Sequence, residues 1–254
     1  MTNAPEVGAM SASAAPLKEI SPKGMARIIG GLLLVSIVAG GVAQGFIGGS
    51  LIVPGDASAT AANITTHQSL YRLAFAVYLI EMSCQIAMTV LFYQLLKPVS
   101  RSLALVAATL GVVGCTVKTM SRLFFFAPLL LLGGAHYLAE FGPKQLEATA
   151  FLSLRLNSTV ETMAMVFFGL FAISKSLLVL RSTFLPRFLG VLGVIGGLGW
   201  SLYLYEPLAH RAEAWIVGTG VLGALTEVLW LLIKGVDEER WYVQASAARA
   251  SIWL

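Results

Sequence analysis

The sequence predicts an all-α fold: a polytopic integral membrane protein built as a bundle of six transmembrane helices, with both termini in the cytoplasm. Three observations lead there. Of the 254 residues, 57% are apolar and only 12% are charged, whereas a soluble chain carries about 25% charge. Six continuous apolar stretches come close to the roughly 20 residues that a helix needs to cross a bilayer core of about 30 Å. Lys and Arg are also sorted onto alternate connections between those stretches. So little charge cannot coat a water-soluble particle of 27.0 kDa, and the mean hydropathy of +0.81 agrees. The same balance excludes a disordered chain, and two Cys exclude a disulfide scaffold.

The predicted spans are Ile28–Gly48, Leu73–Leu96, Leu103–Phe124, Ala150–Ile173, Phe188–Tyr205 and Trp215–Ile233. They are uninterrupted apolar runs, not the shorter alternating segments of a membrane barrel. The first has a basic lead and small residues at Gly41 and Ala43, as a cleaved signal peptide would, but its apolar run continues through Phe46–Ile47, beyond a usual leader. After it, Pro54-Gly55-Asp56 has turn chemistry. Residues 57–70 then suggest a short outer helix capped by Asp56 or Ser58, either a plain connector or a lid. Phe124–Leu132 prolongs the third span past membrane length, and Pro128 suggests a kink, a tilted extension or a surface helix. Residues 1–22 and 237–254 are expected to be mobile cytoplasmic tails flanking a membrane domain over 23–236. Trp215 and Trp241 sit where interfacial anchors would, and Trp241, Tyr242 and Trp253 could touch the membrane surface.

Orientation follows from the basic residues. Eleven fall on the side of the termini: Lys18, Lys23 and Arg27, then Lys97 and Arg101, then Lys175, Arg181 and Arg187, then Lys234, Arg240 and Arg249. The opposite connections hold three, Arg72, Lys144 and Arg211. That asymmetry places the termini inside, as an even number of spans also requires. The net charge of +4 is thus a topology signal. The partner expected is the lipid bilayer. No nucleic acid is expected, since no basic patch has the interleaved aromatics that base stacking needs.

Six charges remain within the spans: Glu81, Lys118, Arg122, Arg155, Glu161 and Glu227. Each would cost roughly 2.5–3.5 kcal/mol at mid-membrane, so three acids and three bases suggest mutual neutralisation. Helical spacing gathers polar stripes: Glu81, Gln85 and Thr89 on the second span, Cys115, Lys118 and Arg122 on the third, Asn157 and Glu161 on the fourth. Glu81 is expected to pair with Lys118 or Arg122, and Arg155 to reach an acid on another helix, unless Arg122 and Arg155 snorkel to the outer interface. Glu227 lies apart, nearer the cytoplasmic half. The set supports two readings: ion pairs that fix the packing, or an outward-facing polar cavity that handles a small polar solute or ion.

Weaker signals add limits. Gly41, Gly45 and Gly49, and again Gly193 and Gly197, recur every fourth residue, which suits close helix packing within the chain or a homo-oligomer contact. Cys84 and Cys115 read as reduced core thiols. His67, His136 and His210 fall in outer connections without ligand-like spacing. No phosphate loop, metal set or nucleophile–base constellation is visible, so neither cofactor nor catalysis is expected.

Several short motifs occur in order along the chain: SLIVPGDASATAA (Ser50–Ala62) with LYRLAF (Leu70–Phe75), LLKPVSRSLAL (Leu95–Leu105), YLAEFGPKQLEA (Tyr137–Ala148), FLPRFLGVL (Phe184–Leu192) and EVLWLLIKG (Glu227–Gly235). Together they resemble the bacterial membrane family known as DUF4386, over roughly residues 23–236. The resemblance implies a multi-span bacterial inner-membrane protein of unknown activity and brings no catalytic residues. Many members of that family carry an Arg in the first half of the third span, where this chain reads LGVVGCTVK (Leu110–Lys118) and its basic residues come later.

Overall fold

The computed structural model describes residues 20–250, all helix, turn or loop, with no strand among them. Residues 1–19, the greater part of the expected N-terminal tail, and Trp253 lie outside the described residues. Six helices are long and apolar enough to cross a membrane: Pro22–Leu51, Gln68–Leu96, Arg101–Leu131, Pro143–Arg181, Arg187–Leu204 and Glu206–Ile233. Each predicted span falls on one of them, apart from the last residue of the fifth. Most helices run past the apolar run that announced them, because backbone hydrogen bonding does not stop where hydropathy falls.

Local chemistry sets the ends. Ser21 caps the first helix by accepting from the Gly24 amide ahead of Pro22 at the first helical position. Ser100 does the same for the third through the Leu103 amide. Gly235, at φ 69°, ends the sixth, with its amide and that of Lys234 both donating to the Trp230 carbonyl. Phe124–Leu132 resolves as a continuation of the third helix with Pro128 inside it. In the turn before Pro128, where the ladder is weakened, the Tyr71 hydroxyl donates to the Phe125 carbonyl. The Tyr71 and Phe125 rings stack at 4.4 Å.

Each span packs on its neighbour in the chain, and the first packs on the sixth, so the six close into a ring. Consecutive spans run antiparallel, as the pairs Thr89–Gly111 and Gly111–Phe171 register. The fourth and fifth meet through glycines: a Cβ at Gly197 would lie 2.8 Å from the Gly169 carbonyl oxygen, and one at Gly169 only 2.7 Å from that of Gly197. Gly193 and Gly197 therefore serve packing within the chain. Gly169→Leu is expected to force these two spans apart and to cost at least the about 1–3 kcal/mol typical of overpacking, read as a lower Tm in detergent. Gly41, Gly45 and Gly49 differ, since a Cβ on any of them would meet nothing within 4 Å. The expectation that they pack within the chain is corrected, because the first helix widens to a π-helix over Gly41–Gly48 and leaves them facing outward.

Two apolar clusters organise the ring. One, around Leu95, Leu178 and Leu231, fills the half that holds the chain ends. The other, around Ile47, Tyr71 and Phe125, fills the opposite half. The outside of the ring is apolar as well: Leu105, Leu123, Leu152, Leu198, Leu222 and Leu229 are each more than half exposed. A surface of that kind belongs in lipid, since a water-soluble monomer rarely exposes a contiguous apolar patch beyond a few hundred Å².

The connection after the first span folds into a short helix as expected, but it ends at Thr66, and residues 68–70 already belong to the second span's helix. Asp56 caps the helix Ala57–Thr66 by accepting from the Ala59 amide at 2.8 Å. Ser58 Oγ donates to Glu147 Oε2 at 2.5 Å, tying this helix to the start of the fourth span.

The expectation of a mobile tail after residue 236 is corrected. Glu238–Ala250 form a helix docked across the ring. The Asp237 amide donates to the Phe184 carbonyl, the Lys23 amide to Glu238 Oε1, and Trp241 Nε1 to the Leu95 carbonyl at 2.8 Å. Trp241 thus turns inward, where its apolar ring and its one donor are both satisfied.

Hydrogen bonds from the Ser21 hydroxyl and the Lys23 amide hold the Glu238 carboxyl below its ordinary range. A carboxyl depressed in the folded state stabilises above its unfolded pKa and loses that contribution as pH falls through the folded value. Acidifying below about pH 4 should therefore loosen the terminal helix, read as faster amide exchange over residues 238–250. Exchange unchanged across that range would contradict the docking.

Candidate interior ion-pair site

The site lies inside the ring and is built by helical spacing on three spans. Glu81 on the second, Lys118 and Arg122 on the third, and Asn157 and Glu161 on the fourth are all buried. Lys118 Nζ lies 2.8 Å from Glu81 Oε1 and 3.6 Å from Glu161 Oε1. Arg122 Nη2 donates to Glu161 Oε1 at 2.8 Å, and its Nη1 to Asn157 Oδ1 at 3.2 Å. The guanidinium carbon sits 3.7 Å from the centre of the Tyr78 ring, a cation–π contact. The Arg122 side chain is only 1% exposed, so it does not snorkel.

Gly40 makes room for this cluster: a Cβ there would come within 3.2 Å of Glu81 Oε1. Among the described residues, Glu81 Oε2 and Arg122 Nε are buried without a hydrogen-bond partner. Two acids and two bases therefore form one nearly closed unit.

A second unit lies toward the chain ends. Lys175 Nζ contacts Glu227 Oε1 at 2.7 Å and Oε2 at 2.6 Å, and sits 4.5 Å from the centre of the Phe92 ring. The end of the apolar run at Ile173 predicts Lys175 in a connection. The structure buries it, because the fourth helix continues to Arg181 without a break. Glu161 and Lys175 are fourteen residues apart on that helix, about 21 Å at 1.5 Å per residue.

Arg155 is the converse correction. It is exposed and has no ion pair among the described residues. Two residues from Asn157 is about 200° around a helix, so the two cannot share a face. The interior thus keeps three acids and three bases, with Lys175 in place of Arg155.

Gln85 is half-buried and takes no part in either unit. It lines a cavity of about 340 Å³ that also touches Lys118, Phe168, Phe171, Lys175 and Glu227, and so runs between the two units. Cys84 and Cys115 are free thiols. Among the described residues no group of three or more His, Cys, Asp or Glu could hold a metal ion. His210 lies inside the sixth helix, not in a connection, with Nε2 3.3 Å from Glu206 Oε1.

Six apolar helices in a ring around paired charges define a multi-pass α-helical membrane protein. The chain belongs to the family described as Domain of unknown function (DUF4386), whose model matches residues 28–235. That match covers all six spans apart from the first six residues of the first helix. Comparisons with curated proteins and with solved structures found no match.

Proposed function

We propose that this is a non-catalytic, multi-pass protein of a bacterial inner membrane, with both termini in the cytoplasm, whose interior charges hold the ring together. One observation carries the reading: the interior acids and bases balance, three against three, five of them buried and Glu227 half-buried, and each is within 4.0 Å of an opposite charge. With Lys175 moved inside, nine of the described basic residues still stand on the face that holds the terminal helix, against three on the other, which supports the orientation.

A second reading, the binding of a small polar solute or ion, is favoured by the cavity that touches both charged units. Glu81→Gln separates the two. If the charges are structural, the substitution leaves Lys118 with Glu161 shared between two cations, and Tm in detergent falls. If they serve a solute, Tm stays at the wild-type value while solute binding or flux changes.

A further inference from the structure

A groove of about 720 Å³ lies between the terminal helix Glu238–Ala250 and the connection from the second span to the third. Its walls include Lys97, Arg101, Arg249, Tyr93, Trp241 and Tyr242, with no acidic residue among its lining. Among the described residues, Lys97 Nζ bonds the neutral Gln94 Oε1 and Arg249 Nε the Ala245 carbonyl of its own helix. None of the three cations has an acidic partner within 4.0 Å among the described residues. The acids of the terminal helix are at its far end, where Asp237 pairs with Arg240 at 3.2 Å and Glu238 takes the Lys23 amide. Three positive charges with no acidic partner among the described residues therefore converge on one groove.

Its position narrows the occupant. Lys97 follows Leu96, the last residue of the second span, and Arg101 opens the third, so the groove sits where apolar helix meets polar surface. Trp241 is fixed by its bond to Leu95, while Tyr242 and Val243 are 53% and 65% exposed beside it. Aromatics at the level of lipid headgroups are the usual interfacial belt, and basic pockets at helix ends on the cytoplasmic side bind anionic headgroups.

We propose that this groove binds the phosphodiester headgroup of an anionic phospholipid. The phosphate oxygens face Lys97, Arg101 and Arg249, and the acyl chains run down the apolar outside of the second and third spans. The proposal depends on the membrane assignment and not on the role of the interior ion pairs.

Native mass spectrometry of the full chain in detergent tests it, with phosphatidylglycerol and phosphatidylcholine of the same acyl chains as probes. Wild type should retain phosphatidylglycerol at least about tenfold more strongly. The triple variant Lys97→Gln, Arg101→Gln, Arg249→Gln should lose about 100-fold in affinity, at about fivefold per basic residue. Its lipid-free Tm should be unchanged, and Lys97→Arg should bind as wild type does. Should the triple variant fold poorly, Arg249→Gln alone, at an exposed helix end, should show the about fivefold loss. Equal retention of the two lipids, or undiminished binding by the variants, would overturn the proposal. Displacement of the lipid by millimolar inorganic phosphate would also overturn it, by assigning the groove to a soluble phosphate.

Discussion

Glu161→Gln is expected to destabilise the helix bundle by about 3–5 kcal/mol, the cost of leaving a buried charge without its partner. Glu161 Oε1 lies 2.8 Å from Arg122 Nη2 and 3.6 Å from Lys118 Nζ. Removing its charge therefore leaves two cations near one another with only Glu81 to balance them. Arg122 cannot escape to water, because its side chain is 1% exposed beneath Tyr78. Asn157 and the Tyr78 ring are neutral and can offset only part of the loss. The double variant Glu161→Met with Arg122→Met removes one charge of each sign and leaves Lys118 with Glu81, so it should recover most of the stability. Thermal unfolding in detergent reads both. A Glu161→Gln variant with wild-type Tm would mean that the cluster carries no packing energy.

Lys175→Met should cost about 3 kcal/mol, the lower end of the same range, because the stranded Glu227 side chain retains 18% exposure. Lys175 lies against Phe92 and Phe171 within the apolar cluster near the chain ends. A methionine can fill that volume, so the loss comes from Glu227 and not from a cavity. Adding Glu227→Met should restore stability, and Tm in the same detergent checks the pair. A loss that persists in the double variant would show that Lys175 acts through packing and not through charge.

Much of this arrangement was legible in residue spacing. Glu81 falls opposite Lys118 because helices on adjacent antiparallel spans present their stripes at matched depth, and both stripes are legible at intervals of three or four. Asn157 and Glu161 were legible for the same reason. Arg155 misleads because it belongs to a different stripe of the same helix, with Thr159, and that stripe faces outward. Periodicity groups residues on a face but does not say which face points in.

Lys175 is not legible from hydropathy, because the apolar run ends at Ile173 while the helix continues to Arg181. A signal was present, since Glu161, Phe168 and Lys175 recur at sevens, two helical turns apart. The docked terminal helix had no such signal. Its single inward aromatic, Trp241, is held by a bond to a carbonyl 146 residues away in the chain. The closure of the ring by the first and sixth spans is likewise a tertiary fact that no local pattern encodes.

The central claim is that the interior charges are paired to hold the helices, and a double-mutant cycle on Glu81 and Lys118 tests it most directly. Glu81→Gln, Lys118→Met and the two combined would be compared by thermal unfolding in detergent. The account predicts that each single variant lowers Tm and that the combination, which leaves Arg122 with Glu161, stands above the sum of the single losses. Single variants with wild-type Tm and no coupling between them would contradict it.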